Sequence, residues 1–196
     1  MKKILPENLI EDSLVQHTKL TTSNREFVTY YIDKKNTWEN LERYDLDAFG
    51  NTVYIDTIRT KNVGHNEIYH DFINQTFNKL DKIIDLDFYE MSHNNGSMLD
   101  IYHISYSSHF KPNVIGQAIT QKSHEGGWWD IFWKDSPLDG AINLNSDRNT
   151  IVHELGHALG LSHPFNDPLN KEYNSGDTIM SYNIAESGWD TWYSTN

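Results

Sequence analysis

The chain has 196 residues, 37% of them hydrophobic and 22% charged, which suits one globular domain or a domain with two lobes. Its formal net charge of −12 excludes the basic footprint that nucleic acid or an anionic membrane surface requires. No stretch reaches the roughly 18 apolar residues of a membrane span, and the absence of cysteine excludes disulfides, thiolate metal ligands and a cysteine nucleophile.

Lys2 and Lys3 imitate the start of a signal peptide, but Pro6, Glu7 and Asn8 interrupt any apolar run, so secretory export has no support there. Residues 1–25 are polar, show no period and read as a leader or arm, with Glu11 and Asp12 as solvated charges. Phe27–Ile32 and Thr52–Ile58 are rich in β-branched and aromatic residues and predict strands. Between them, polar Asp33–Asn51 reads as a loop. His65–Ile84 predicts a helix, because Ile73, Phe77, Leu80 and Ile84 share one face. Asp85–Met91, Met98–Tyr106, Val114–Thr120, Trp128–Trp133 and Ala141–Leu144 are further strand candidates. A second helix starts near Ser146 or Asp147, good N-caps, runs to about Leu159 and is closed by Gly160. The remainder, with Pro164, Pro168, Gly176 and Gly188, is loop-like, and the order of elements predicts an α+β fold.

Residues 153–163 read HELGHALGLSH. His153 and His157 are one helical turn apart, so both imidazoles reach one Zn²⁺ at roughly 2.0–2.1 Å. Glu154 lies about 100° further round the helix, beside the metal, where it acts as general base on a metal-activated water. Gly160 turns the chain out of the helix and lets His163 return as a third ligand, leaving a fourth position open, as a catalytic site requires. Val152, Leu155 and Leu159, with Ile151 and Ala158 alongside, form the opposite, apolar stripe. The plainer reading of such histidines, satisfied core residues, is disfavoured by the full five-point pattern. His103, His109 and His124 fit no zinc template and, with His65, His70 and His93, are expected to face solvent. Trp128, Trp129 and Trp133 are expected in the core rather than in a specificity pocket. No loop shows EF-hand spacing, so Ca²⁺ has no support despite the many Asp residues.

The motif resembles the signature of the metzincin metallopeptidases, HExxHxxGxxH followed by a methionine turn, here Asp177–Tyr182 (DTIMSY). Pro164 after the third histidine and Ser181-Tyr182 after Met180 are similar to the serralysin branch. The resemblance implies a zincin-like fold: a mixed twisted sheet, two long helices and a small irregular C-terminal lobe. It implies that Met180 supports the site from beneath, and that Tyr182 is a further metal ligand through its phenol oxygen, swinging to the oxyanion during turnover. It implies that Gly116, Gln117, Ala118 and Ile119 form the edge strand that holds substrate extended, though an ordinary sheet edge is equally compatible. The expected organisation is a leader over 1–25 and a catalytic domain over 26–196, its first lobe ending near 160 and its second spanning 161–196. The family's glycine-rich calcium-binding repeats and terminal helix are missing. Ser194-Thr195 resembles a helix N-cap, so the native chain is expected to continue past Asn196. The activity implied is a zinc endopeptidase, monomeric and extracellular, with one catalytic Zn²⁺. The rivals are a non-catalytic zinc-stabilised binding module and a cell-wall peptide amidase.

Overall fold

Strand alternation gives the central sheet two different faces, and helices cover one of them. The computed structural model describes residues 2–23, 25–135 and 144–183. The elements are α1 (Asp12–Thr22), β1 (Phe27–Ile32), β2 (Trp38–Leu46), β3 (Thr52–Asn62), α2 (Glu67–Leu80), β4 (Asp87–Met91), β5 (Leu99–Ser107), β6 (Gly116–Ser123), β7 (Gly126–Trp133) and α3 (Leu144–Ala158). The fold is α+β with a mixed seven-stranded sheet. Its main run is β4-β1-β5-β7-β6, in which β4, β1, β5 and β7 are parallel and β6 pairs antiparallel with β7. The antiparallel β2–β3 hairpin joins through the second half of β5.

Leu99 and Ile101 of β5 and Trp129, Ile131 and Trp133 of β7 point to one face. There they bury against Tyr69, Ile73 and Phe77 of α2 and Ile151, Val152, Leu155 and Ala158 of α3. α2 begins at Asn66, whose side chain accepts from Tyr69 N, satisfying one of the free N–H groups of the first turn. Tyr69 then donates its hydroxyl to Asp147 Oδ2 at 2.6 Å and ties α2 to α3. On the opposite face Tyr102, Ile104, Ile119 and Phe132 pack under Ile58 of the hairpin.

The structure corrects the sequence expectations in several places. Asp33–Asn51 is not all loop: it contains β2, a hairpin strand with charged outward residues. There are three α-helices among the described residues rather than two, because the leader contains α1. That helix packs on β7, with His17 buried edge-on against Trp129 at 4.7 Å and donating through Nε2 to Trp128 O at 3.0 Å. Thr18 Oγ1 donates to Ala158 O at 3.1 Å, which binds α1 to the end of α3. His103 does not face solvent: it stacks on Trp133 at 3.8 Å and donates to Asp135 Oδ1. His65 is half-buried, donating to Asp33 O and accepting from Trp133 Nε1. Trp129 and Trp133 are core, while Trp128 is only partly covered. The Ala141–Asn143 part of the expected strand and Ser194-Thr195 lie outside the described residues, and Leu144 is the first residue of α3.

Candidate metal centre

α3 places His153 and His157 on the face away from its apolar stripe. Gly160, at φ +95°, then ends the helix in a left-handed conformation that a side chain rarely adopts. Gly160 N donates to His157 O and Leu161 N to Gly156 O, the paired bonds of a Schellman cap. The reversed chain brings His163 back. The ligating atoms of His153, His157 and His163 all lie within 4.8 Å of one another. The three rings are 4.8–5.2 Å apart between centroids.

The surroundings set the tautomers. His153 Nδ1 donates to Ile179 O and His157 Nδ1 to Leu161 O, both at 2.8 Å. Each Nε2 lone pair therefore faces the common centre. The Nε2 atoms of His153 and His163 are buried and have no hydrogen-bond partner. Burial, then the neighbouring histidines, push His153 down to about 3 and His163 to about 4, and burial lowers His157. Neutral imidazoles with orphaned, convergent nitrogens fit a metal ion taking about 2.0–2.1 Å bonds, after slight inward rotation of the rings.

Glu154 is buried on the adjoining face of α3, against β6. Its carboxyl accepts from the Ala118 N–H, but burial dominates and pushes it up to about 8; a cation held by the histidines would pull it back down. The approach depends on a glycine. A Cβ on Gly116 would stand 2.5 Å from Glu154 Oε1 and 2.6 Å from Thr150 Cγ2. Gly156 does the same beneath the helix, where a Cβ would stand 2.7 Å from Met180 Sδ. Met180 is fully buried there, and the residue before it supplies the carbonyl that orients His153. Tyr182 closes the other side, its ring 5.2 Å from that of His153 and 4.8 Å from that of His163. Burial and the nearby Glu154 raise its phenol pKa.

Of the four edge-strand residues, two face α3 and two do not. β6 pairs with β7 alone among the described strands. Ile115 O accepts from Lys134 N of the β7 side, while the Ala118 N–H turns to Glu154. Alternation then turns the main-chain groups of Gly116, Ala118 and Thr120 away from β7. The Ile119 side chain packs with Ile58 and Phe132 on the far face, and Gln117 shares that side.

Sequence reasoning missed Ile179, Leu161, Gly116 as a space-maker for Glu154, and the leader. Leu9 O accepts from Ser162 N, Ile10 bridges Leu161, and Glu11 accepts from Ser162 Oγ at 3.4 Å, next to His163. Carbonyl roles leave no residue-type signal, and the leader has no apolar period to announce its docking.

Beyond this geometry, the chain is similar in part to metallopeptidases. No family model matches it. It is 45% identical over 73 residues to the metallopeptidase AprA of Pseudomonas marginalis, a stretch covering 37% of this chain and 14% of that protein. It is 34% identical over 70 residues to the metalloprotease AprA of Pseudomonas entomophila strain L48, covering 35% and 13%. The matched stretch thus spans about a seventh of those relatives and supports a metalloprotease, no narrower class.

Proposed function

We propose that the protein is a zinc-dependent endopeptidase of metzincin type, closest to the serralysin branch, acting outside the cell on extended polypeptide. The observation that carries this reading is the pair of buried, unpartnered Nε2 atoms in a convergent histidine triad beside a buried carboxyl. A structural metal site has no use for Glu154. His153, His157 and His163 hold the ion, and three imidazoles with an open position match zinc. When bound, the zinc polarises the scissile carbonyl and lowers the pKa of a water in the site. The Glu154 carboxyl takes the proton from that water as it attacks, then returns it to the leaving amine. Tyr182, beside the triad, is proposed as a further ligand at rest and as a hydrogen-bond donor to the oxyanion in turnover. The outward main-chain groups of Gly116 and Thr120, with the Ala118 carbonyl, take the substrate backbone as an added antiparallel strand; Gln117 and Ile119 contribute only their place in that strand. Met180 holds α3 from beneath.

The test combines metal analysis with cleavage of unfolded casein, with and without 1,10-phenanthroline. Glu154→Gln is expected to keep one zinc per chain and to lose about 10³-fold or more in activity. Full activity in that variant, or cleavage indifferent to the chelator, overturns the reading.

A further inference from the structure

The sheet face turned away from the histidines carries two buried aspartates that no cation among the described residues offsets. Asp100 of β5 and Asp130 of β7 sit opposite one another in the parallel register, and each is only 4% exposed. Alternation sends their strand neighbours Leu99, Ile101, Trp129 and Ile131 under the helices and these two to the hairpin side. There they line an open cavity of about 860 Å³ between the β2–β3 hairpin, the loop before β5 and the β6–β7 turn.

The walls satisfy the pair only in part. Ser97 Oγ donates to Asp100 Oδ1, and Gln121 Nε2 donates to Asp130 Oδ2 at 2.6 Å, with the Trp128 side chain also bonding Asp130. The second oxygen of Asp100 has no hydrogen-bond partner among the described residues. Neither has Thr21 Oγ1, on a side chain 5% exposed that lines the same cavity. Arg25 at the mouth stacks on Phe27 at 5.6 Å and forms no ion pair with either aspartate. Buried carboxylates without a counter-charge are costly, and a ligand that brings the charge relieves that cost.

The chemistry selects the kind of cation. Among the described residues the only converging group of three or more metal-ligating side chains is the histidine triad, so the aspartates fall short of a metal cage. The cavity is far larger than an ion, and Trp128 and Tyr44, 6.5 Å apart between ring centroids, give it an aromatic wall. Such walls suit ammonium and guanidinium groups on an organic frame.

We propose that this cavity binds an organic cation, a ligand bearing an alkylammonium or guanidinium group, anchored by Asp100 and Asp130 and flanked by Trp128 and Tyr44. The site is independent of the peptidase reading and lies across the sheet from it.

The probes are agmatine, cadaverine, the uncharged 1,5-pentanediol and a short arginine-containing peptide, titrated calorimetrically into the full chain. Agmatine or cadaverine is expected to bind saturably and the diol not to bind. Asp100→Asn and Asp130→Asn should each weaken binding about tenfold or more. Trp128→Leu, which keeps both carboxylates, should weaken it as well, and thermal melts show that each variant is folded. Binding of the peptide as tightly as agmatine identifies a basic side chain of a protein partner as the source. Agmatine binding without the peptide identifies a free amine. Absence of saturation on the order of 10 mM agmatine, equal binding by the asparagine variants, or displacement of agmatine by calcium overturns the proposal.

Discussion

At the scale of single residues, two glycines decide how close the chemistry can come. Gly156 leaves the space into which the Met180 sulfur fits, 2.7 Å from where a Cβ would stand. Gly156→Ala is therefore expected to cost about 1–3 kcal/mol, read as a lowered urea midpoint, because a filled core resists an added methyl. Unchanged stability would show that Met180 moves aside freely. Gly116→Ala acts on the carboxyl instead, since its methyl would displace Glu154 Oε1 and Thr150. The expected result is zinc content unchanged and casein cleavage reduced about 10²-fold, the loss that a misplaced catalytic group causes. Zinc loss in that variant would point to a collapse of α3 rather than a shifted base. The histidine triad and Glu154 were legible in the sequence because i, i+4 spacing and a closing glycine are written in residue types. The carbonyls of Ile179 and Leu161 were not, because any residue supplies a carbonyl.

The elements divide by whether their buried face is apolar. α2 and α3 bury Ile, Phe, Val and Leu at helical spacing, so their period is readable. α1 turns His17, Thr18 and Thr21 inward, His17 and Thr18 through hydrogen bonds and His17 also through an edge-on ring contact, so its period is polar and invisible to a hydrophobicity pattern. β2 was equally hidden: Glu39, Asn40, Glu42 and Arg43 give it the composition of a loop, yet nine residues pair with β3, with one shift of register between Arg43 and Tyr44. The cap at the end of α3 is readable and testable. Gly160→Ala forces a side chain into φ +95° with Val15 Cγ2 of α1 3.4 Å from the new methyl. The expected loss is about 1–2 kcal/mol by chemical denaturation. Since the same turn delivers His163, zinc affinity should fall with it; an unchanged metal titration would separate the cap from the site.

Across the whole molecule the buried aspartate pair sets a pH dependence of stability. Burial and the neighbouring Asp130 push Asp100 up to about 8, and burial pushes Asp130 to about 7. A carboxyl whose folded value lies above its unfolded one holds its proton more tightly in the folded chain. Its contribution is complete below the unfolded value of 3.8 and is lost as pH rises through the folded value. Stability from this pair therefore declines between about pH 4 and pH 8. Asp100→Asn is expected to gain on the wild type by about 2 kcal/mol or more between pH 5 and pH 8 in urea titrations. Parallel pH profiles in the two proteins would sink the assignment, because the remaining carboxyls are common to both. The contacts of the N-terminal segment reach further along the chain than any of these, joining Thr18 to Ala158 and Lys2 to Asp177. During synthesis at about 5–20 residues per second, α1 waits roughly 7–27 s for Ala158 to be made. Helix α1 is thus made well before the elements it docks on. Until then Ser162, the neighbour of the third histidine, lacks its bonds to Leu9 and Glu11, so the surroundings of the triad are completed from two segments more than 150 residues apart.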